Sequence, residues 1–187
     1  SALGANGVAV SAIIATHAAA AMGAISWCGA EWMHRGKPTV LGVASGAVAG
    51  LATVAPAAGF LSPLFAIAIG LVAGMACYAA IVWKGRFGYD DSLDVVGIHG
   101  VGGVIGVLAT GLCASKVVNP GGADGLFFGN PGLFGIQLLV VVVTTVFSLV
   151  GTFIILKLVD AMTGLRVSSE EEATGLDLSQ HNERAYS

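Results

Sequence analysis

Apolar residues fall into five long stretches along this chain, and most charged residues lie between the stretches or after the last one. The stretches cover about residues 8–32, 39–59, 63–83, 90–115 and 133–158. Each is close to the ~20 residues that an α-helix needs to cross the hydrocarbon core of a bilayer. The pattern predicts an all-α integral membrane protein, with a transmembrane domain of five helices at residues 1–166 and a polar tail at residues 167–187.

The ends of the stretches carry residues that are typical of helix and membrane boundaries. Trp27 and Trp32 close the first stretch and are followed by basic residues, as at a membrane interface. Pro38 suits the first turn of the second helix, and Ser62 followed by Pro63 suits the start of the third. Pro56 is expected to end or kink the second helix.

Glycines recur at four-residue intervals inside the second and third stretches. Gly42, Gly46 and Gly50 form one such series, and Gly70 and Gly74 form another. Small residues at this spacing let two membrane helices approach closely. These glycines are therefore predicted to lie at helix contacts.

The composition agrees with a membrane protein and excludes other classes. The chain is 56% hydrophobic and 10% charged, with a mean hydropathy of +0.87, whereas soluble domains are about one quarter charged. The net charge of −3 and the lack of a basic cluster argue against a nucleic-acid partner. The three cysteines match no metal motif, and no hydrolase, phosphate-binding or zinc-protease motif occurs. The sequence predicts neither an enzyme nor a bound cofactor.

Basic residues predict the orientation. They follow the first, third and fifth stretches, whereas the opposite loops contain only Lys116. Because cytoplasmic loops are enriched in lysine and arginine, the first helix is expected to begin outside and the tail to be cytoplasmic. The fourth helix then runs from the cytoplasm to the exterior.

His99 is the candidate for function, because it lies in the middle of the fourth apolar stretch. An ionisable group at that depth is costly unless it is neutral or faces something polar. One interpretation is a histidine hydrogen-bonded to a neighbouring helix. The other is an imidazole that lines a pore and receives or relays a proton. Asp91 or Ser92 is the expected N-cap of this helix, and Asp94 is expected not to pair with His99.

His17 is the other histidine within an apolar stretch, and it has no acidic neighbour one turn away. A role in helix contact is the simpler interpretation. The alternative, a haem held between His17 and His99 in a membrane subunit, stays open as a minor hypothesis.

The residues also match a known family. The segment DDSLDVVGIHGVGGVIGVLATG resembles the pore helix of ammonium transporters of the Amt/Mep/Rh family, and GLRVSSEEEATGLDLSQHNERAY resembles the tail of their bacterial Amt members. LGVASGAVAGLATVAPAAGF and GAEWMHRGKPTVLG match further family segments in the expected order. The resemblance covers the whole chain.

The resemblance implies an eleven-helix fold with inverted repeats, assembled as a homotrimer with one pore per subunit. The chain would supply helices seven to eleven, which is the C-terminal half. His99 would be the second of a pair of pore histidines, and Val48 and Val95 would be wall positions. Ala55 stands where some relatives have threonine, and Ser1 would bind ammonium in the outer vestibule.

The resemblance further implies transport of ammonium or ammonia, and of methylammonium, across the inner cell membrane in nitrogen metabolism. A PII-type signalling protein would bind the cytoplasmic face, with contacts expected at Lys37, Arg86 and Asp177. The alternative within the same fold is an ammonium sensor that signals through its tail.

Overall fold

The computed structural model describes residues 2–184, and these residues form helices joined by turns, with no β-strand among them. The long helices are α1 (Gly7–Arg35), α2 (Val40–Val54), α3 (Pro63–Phe87), α4 (Val101–Cys113) and α5 (Pro131–Thr163). A π-helix, Val96–Gly100, runs directly into α4, and a 3₁₀ turn, Leu126–Phe128, precedes α5. Two short helices, α6 (Ser169–Thr174) and α7 (Leu176–Ser179), follow in the tail.

Within residues 2–184, four segments are long and apolar enough to cross a membrane: Gly7–Arg35, Pro63–Phe87, Val96–Cys113 and Pro131–Thr163. The second predicted span is shorter than expected, because α2 has 15 residues, or ~22 Å of helix. Turns continue the chain from Ala55 to Phe60. Pro56 ends this helix rather than kinking it, since proline has no N–H for the next helical hydrogen bond.

The predicted glycine contacts between helices are confirmed. A Cβ atom added at Gly46 would lie 2.7 Å from the carbonyl oxygen of Gly23 in α1. One added at Gly70 in α3 would lie 2.9 Å from the Cα of Ala19 in α1. The backbone of α1 therefore touches both α2 and α3, in the way small residues permit between membrane helices.

A buried carboxylate closes the turn between α1 and α2. Glu31 is 3% exposed and accepts hydrogen bonds from the backbone N–H of Thr39, at 3.0 Å, and from its hydroxyl, at 3.1 Å. The guanidinium of Arg35 lies 3.9 Å from the same carboxylate. The charge of Glu31 is thus buried with hydrogen-bond donors around it, as buried charges require.

The chain divides into two compact units, one ending at Val142 and the other beginning at Val143. The boundary falls inside α5, none of whose residues is buried. The predicted boundary between a membrane domain and a tail, at residue 166, remains a prediction.

Candidate functional site

An aspartate in the preceding loop binds the start of the segment that carries His99. The Asp91 carboxylate accepts hydrogen bonds from the backbone N–H groups of Val95, at 2.8 Å, and Val96, at 3.0 Å. Neither Asp91 nor Ser92 is the N-cap residue that the sequence predicted, because the π-helix begins at Val96 after Val95. The Asp91 carboxylate nevertheless reaches the first N–H groups from the preceding loop, whereas Ser92 donates its hydroxyl to Asp90. Asp91 satisfies two of the N–H groups that the start of any helix leaves unpaired.

His99 lies in the π-helix Val96–Gly100, not in regular α-helix as the sequence predicted. This wider turn is rare, and it occurs frequently at functional sites. Gly97 and Ile98 are buried, whereas His99 is exposed. The hydrogen bonds formed within residues 2–184 do not include one to the imidazole.

Three side chains on one face of α3 contact the segment around His99. The Cys77 thiol donates to the Ile98 carbonyl over 3.7 Å. A Cβ atom added at Gly97 would lie 2.7 Å from Cγ1 of Ile81. The Lys84 ammonium forms an ion pair with Asp94. Asp94 does not pair with His99, as predicted, and its role is this ion pair rather than a helix cap.

The helix that follows His99 packs against α2 at Thr53. A Cβ atom at Gly102 would lie 2.6 Å from the Thr53 hydroxyl, and one at Gly106 would overlap the Thr53 carbonyl oxygen. Thr53 is fully buried, and its hydroxyl has no hydrogen-bond partner among the described residues. Gly102 and Gly106 therefore let α4 approach the backbone of α2 closely. The same contact buries the Thr53 hydroxyl without a hydrogen-bond partner among the described residues.

The predicted wall residues all have exposed side chains. Val48 is 39% exposed and Val95 is 50% exposed, and Ala55 is exposed at the end of α2. These apolar surfaces are open in the part of the chain that the structure describes. Ser1, the predicted ammonium ligand, lies outside the described residues.

His17 is exposed in α1 and lines an open groove of about 540 Å³ together with Thr16 and Leu51. No contact joins it to His99 among the described residues, and the predicted helix-contact role of His17 stays a prediction. No group of three or more histidine, cysteine or acidic residues that could hold a metal ion occurs within residues 2–184.

His34 has a structural role that the sequence did not reveal. It lies in the last turn of α1, where its Nδ1 is 2.8 Å from the Tyr78 hydroxyl of α3. Trp27 packs edge-on against the same tyrosine, with ring centroids 5.5 Å apart. A spacing in the sequence cannot indicate this cluster, because its members come from two helices.

The predicted regulator contacts differ in exposure. Lys37 is exposed just after α1, and Arg86 is exposed in the last turn of α3. Asp177 is half-buried in the first turn of α7, and its carbonyl accepts a hydrogen bond from the N–H of Glu183 at 2.8 Å.

Residues 168–184 of the tail form two short helices and turns held by hydrogen bonds. Ser168 and Glu171 form a capping box, with both reciprocal hydrogen bonds present. Gly175 adopts a φ of +99° between the two short helices, a backbone conformation that favours glycine. The Ser168 hydroxyl and backbone N–H, followed by the Gln180 amide, lower the pKa of Glu171. Arg166 lowers the pKa of Glu172 through a hydrogen bond and its charge.

Comparison with known proteins identifies the family. The model of the Ammonium Transporter Family matches residues 1–186. An ammonium transporter of Bacillus subtilis is 48% identical over 187 residues, covering all of this chain and 46% of the relative. The chain therefore spans about half the length of this curated relative.

Solved structures match the fold. Mep2 of Saccharomyces cerevisiae has a TM-score of 0.83 and 34% identity, covering 89% of this chain and 39% of Mep2. A structure described as a sensor Amt protein has a TM-score of 0.82 and 27% identity, covering 95% of this chain and 43% of its own.

These matches confirm the predicted all-α fold of a multi-pass membrane protein. The prediction that the chain is not an enzyme is also confirmed, because the family consists of membrane transporters. Because the family model matches nearly all the residues, the chain belongs to the Ammonium Transporter Family.

Proposed function

We propose that the chain forms part of a pathway that conducts ammonium-derived ammonia across the cell membrane past His99. The observation that carries the proposal is the exposed imidazole of His99 in a π-helix, within a segment long and apolar enough to span a membrane. Membership of the Ammonium Transporter Family supports ammonium as the substrate.

The physical argument concerns desolvation. A bare cation in an apolar passage loses its hydration at a cost of several kcal/mol or more. Val48 and Val95, both exposed and apolar, suit a wall along which a neutral molecule crosses more easily than an ion. Ammonium would bind at an outer vestibule, where Ser1 is the proposed ligand, and would transfer its proton to water there. Ammonia would then pass His99. Ala55 would line the same pathway.

A neutral imidazole suits this task. One ring nitrogen accepts a hydrogen bond from ammonia, and the other carries a proton that a partner orients. The partner would come from residues outside this half of the family's length. If the proton crosses the membrane separately from ammonia, His99 would also help to return that proton to ammonia.

Replacing His99 with alanine tests the proposal. In a full-length transporter that carries these residues, H99A is expected to lower the ammonium-driven current in proteoliposomes at least tenfold, while the protein stays folded. Methylammonium uptake should fall in parallel. The matched control is Val104→Ala. Val104 is an exposed apolar residue further along α4, and the transporter with this change should conduct normally. An unchanged current in H99A would refute the role of His99.

The proposed assembly is a homotrimer in the inner membrane with the tail in the cytoplasm. A PII-type signalling protein would bind that face, and Lys37, Arg86 and Asp177 are the proposed contacts. The ordered tail supports a docking role, since its capping box and turns hold a fixed shape. Removing the residues after Val167 should weaken capture of PII by the full-length transporter. Undiminished capture would remove the tail from the proposal.

The second candidate is an ammonium sensor. It is favoured by the likeness to a sensor Amt protein and by the ordered tail. A sensor would bind ammonium with little flux, so binding and current measured on the same preparation separate the two functions.

A further inference from the structure

We propose that Lys84 is a positioning residue that sets the orientation of His99. The inference rests on the proposed role of His99 in conduction. It starts from an arrangement that the sequence did not predict, namely a lysine near the end of one helix that binds the loop leading into the next.

Lys84 reaches two groups of that loop at once. Its ammonium donates a hydrogen bond to the Asp91 carbonyl and forms the ion pair with the Asp94 carboxylate. The lysine side chain is 24% exposed and the aspartate side chain 32%. This partial burial distinguishes the pair from a fully solvated surface pair, which contributes little.

The two acceptors are the residues that fix the start of the His99 segment. The Asp91 carboxylate accepts hydrogen bonds from Val95 and Val96, and the Asp94 carbonyl accepts the N–H of Ile98 at 2.9 Å. Asp94 also has a φ of +58°, a conformation that non-glycine residues adopt rarely. A residue in that conformation needs its surroundings to hold it, and the ion pair with Lys84 does so.

The contacts made by α3 therefore form a series along one face. Cys77 meets the carbonyl of Ile98, Ile81 meets Gly97, and Lys84 meets the loop before them. Residues spaced by four and three positions share one face of a helix. Lys84 is the charged end of this series, so it fixes the register at which the π-helix begins.

Register determines where the imidazole points. A slide of one residue along an α-helix turns a side chain by roughly 100° about the helix axis. Loss of the Lys84 contacts would let the loop relax and allow that slide. His99 would then leave the pathway without any change in its own chemistry.

The test measures ammonium-driven current per folded protein in the full-length transporter, for K84M, K84R, D94N and the K84M/D94N pair. Misplacing a functional group by about 1 Å can cost roughly a hundredfold in rate, so K84M and D94N should each lower the maximal current about tenfold or more. The KM for ammonium should change less than twofold, because recruitment occurs elsewhere. K84R should restore most of the current, and the double variant should be no worse than either single one.

The control is K116M, which removes a lysine from the exposed loop after α4. Hydrogen exchange at Val95 and Val96 should accelerate in K84M and not in K116M. A K84M current equal to that of K116M, with H99A inactive, would refute positioning by Lys84 and leave the proposed function intact. If H99A also conducts normally, the proposed function itself fails. Should K84M not reach the membrane, D94N gives the same comparison with almost no change in size.

Discussion

Helices α3 and α5 are both long and apolar, yet they are buried to very different extents. The most apolar 18 residues of α3 have a mean hydropathy of 2.3, and 39% of these residues are buried. The most apolar 18 residues of α5 have a mean hydropathy of 2.7, and none of them is buried. Within the described residues, Gly70 and Gly74 of α3 lie against the backbone of α1, while nothing lies within 4 Å of a Cβ at Gly151 of α5. In a membrane, close approach rather than hydrophobicity decides which helices pack.

The largest expected effect comes from breaking the glycine contacts. Gly70→Leu in α3 should abolish folding or destabilise the full-length protein by about 3 kcal/mol, because an inserted side chain meets the carbonyl oxygen and the Cα of Ala19. The measurement is the folded fraction in detergent against temperature. Gly151→Leu is the matched control and should be nearly neutral. Equal losses in the two variants would contradict the comparison.

A smaller effect of opposite sign is expected at the packed face between α2 and α4. Thr53→Val should stabilise the protein by about 1 kcal/mol, because it removes a buried hydroxyl that has no partner among the described residues. Thr110→Val is the control and should not stabilise, since the Thr110 hydroxyl donates to the Gly106 carbonyl at 2.9 Å. Thermal unfolding of both variants provides the test, and destabilisation by Thr53→Val would indicate a bound water or an unseen partner.

The smallest effect concerns the tail, which resembles α5 in burying no residue of its short helices. Side-chain hydrogen bonds in solvent hold it instead. Ser168→Ala should destabilise the exposed helix α6 by about 0.5 kcal/mol through loss of the cap. Hydrogen exchange of the α6 amides in the full-length protein should detect this, with Ser169→Ala as the control.

The same segment has a predictable pH dependence. The pKa values of Glu171 and Glu172 are lowered from 4.5 in the folded tail. Their contribution to tail stability is therefore fully present above pH 4.5 and is lost as the pH falls through the lower folded values. Exchange rates, corrected for intrinsic pH dependence, should rise in that acidic range. Tail protection that stays constant below pH 4.5 would contradict this assignment.

Much of the architecture could be read from the sequence. The apolar stretches located the spanning helices, the spacing of Gly42, Gly46 and Gly50 indicated a contact face, and Ser168 was recognisable as a cap. Each of these features depends on residues close together in the chain. Local hydrogen bonds and hydropathy are sufficient to determine them.

Contacts between helices decided the rest. The hydropathy of Val96–Gly100 is the same in an α-helix and a π-helix, so only the packing of Cys77, Ile81 and Lys84 of α3 against this segment distinguishes them. The early end of α2, the burial of Glu31 and the exposure of His99 likewise depend on neighbours distant in sequence. The sequence alone determined which helices form and where the imidazole lies along the chain. The tertiary structure decided which faces are covered and which way that imidazole points, because helix contacts join residues that no local pattern relates.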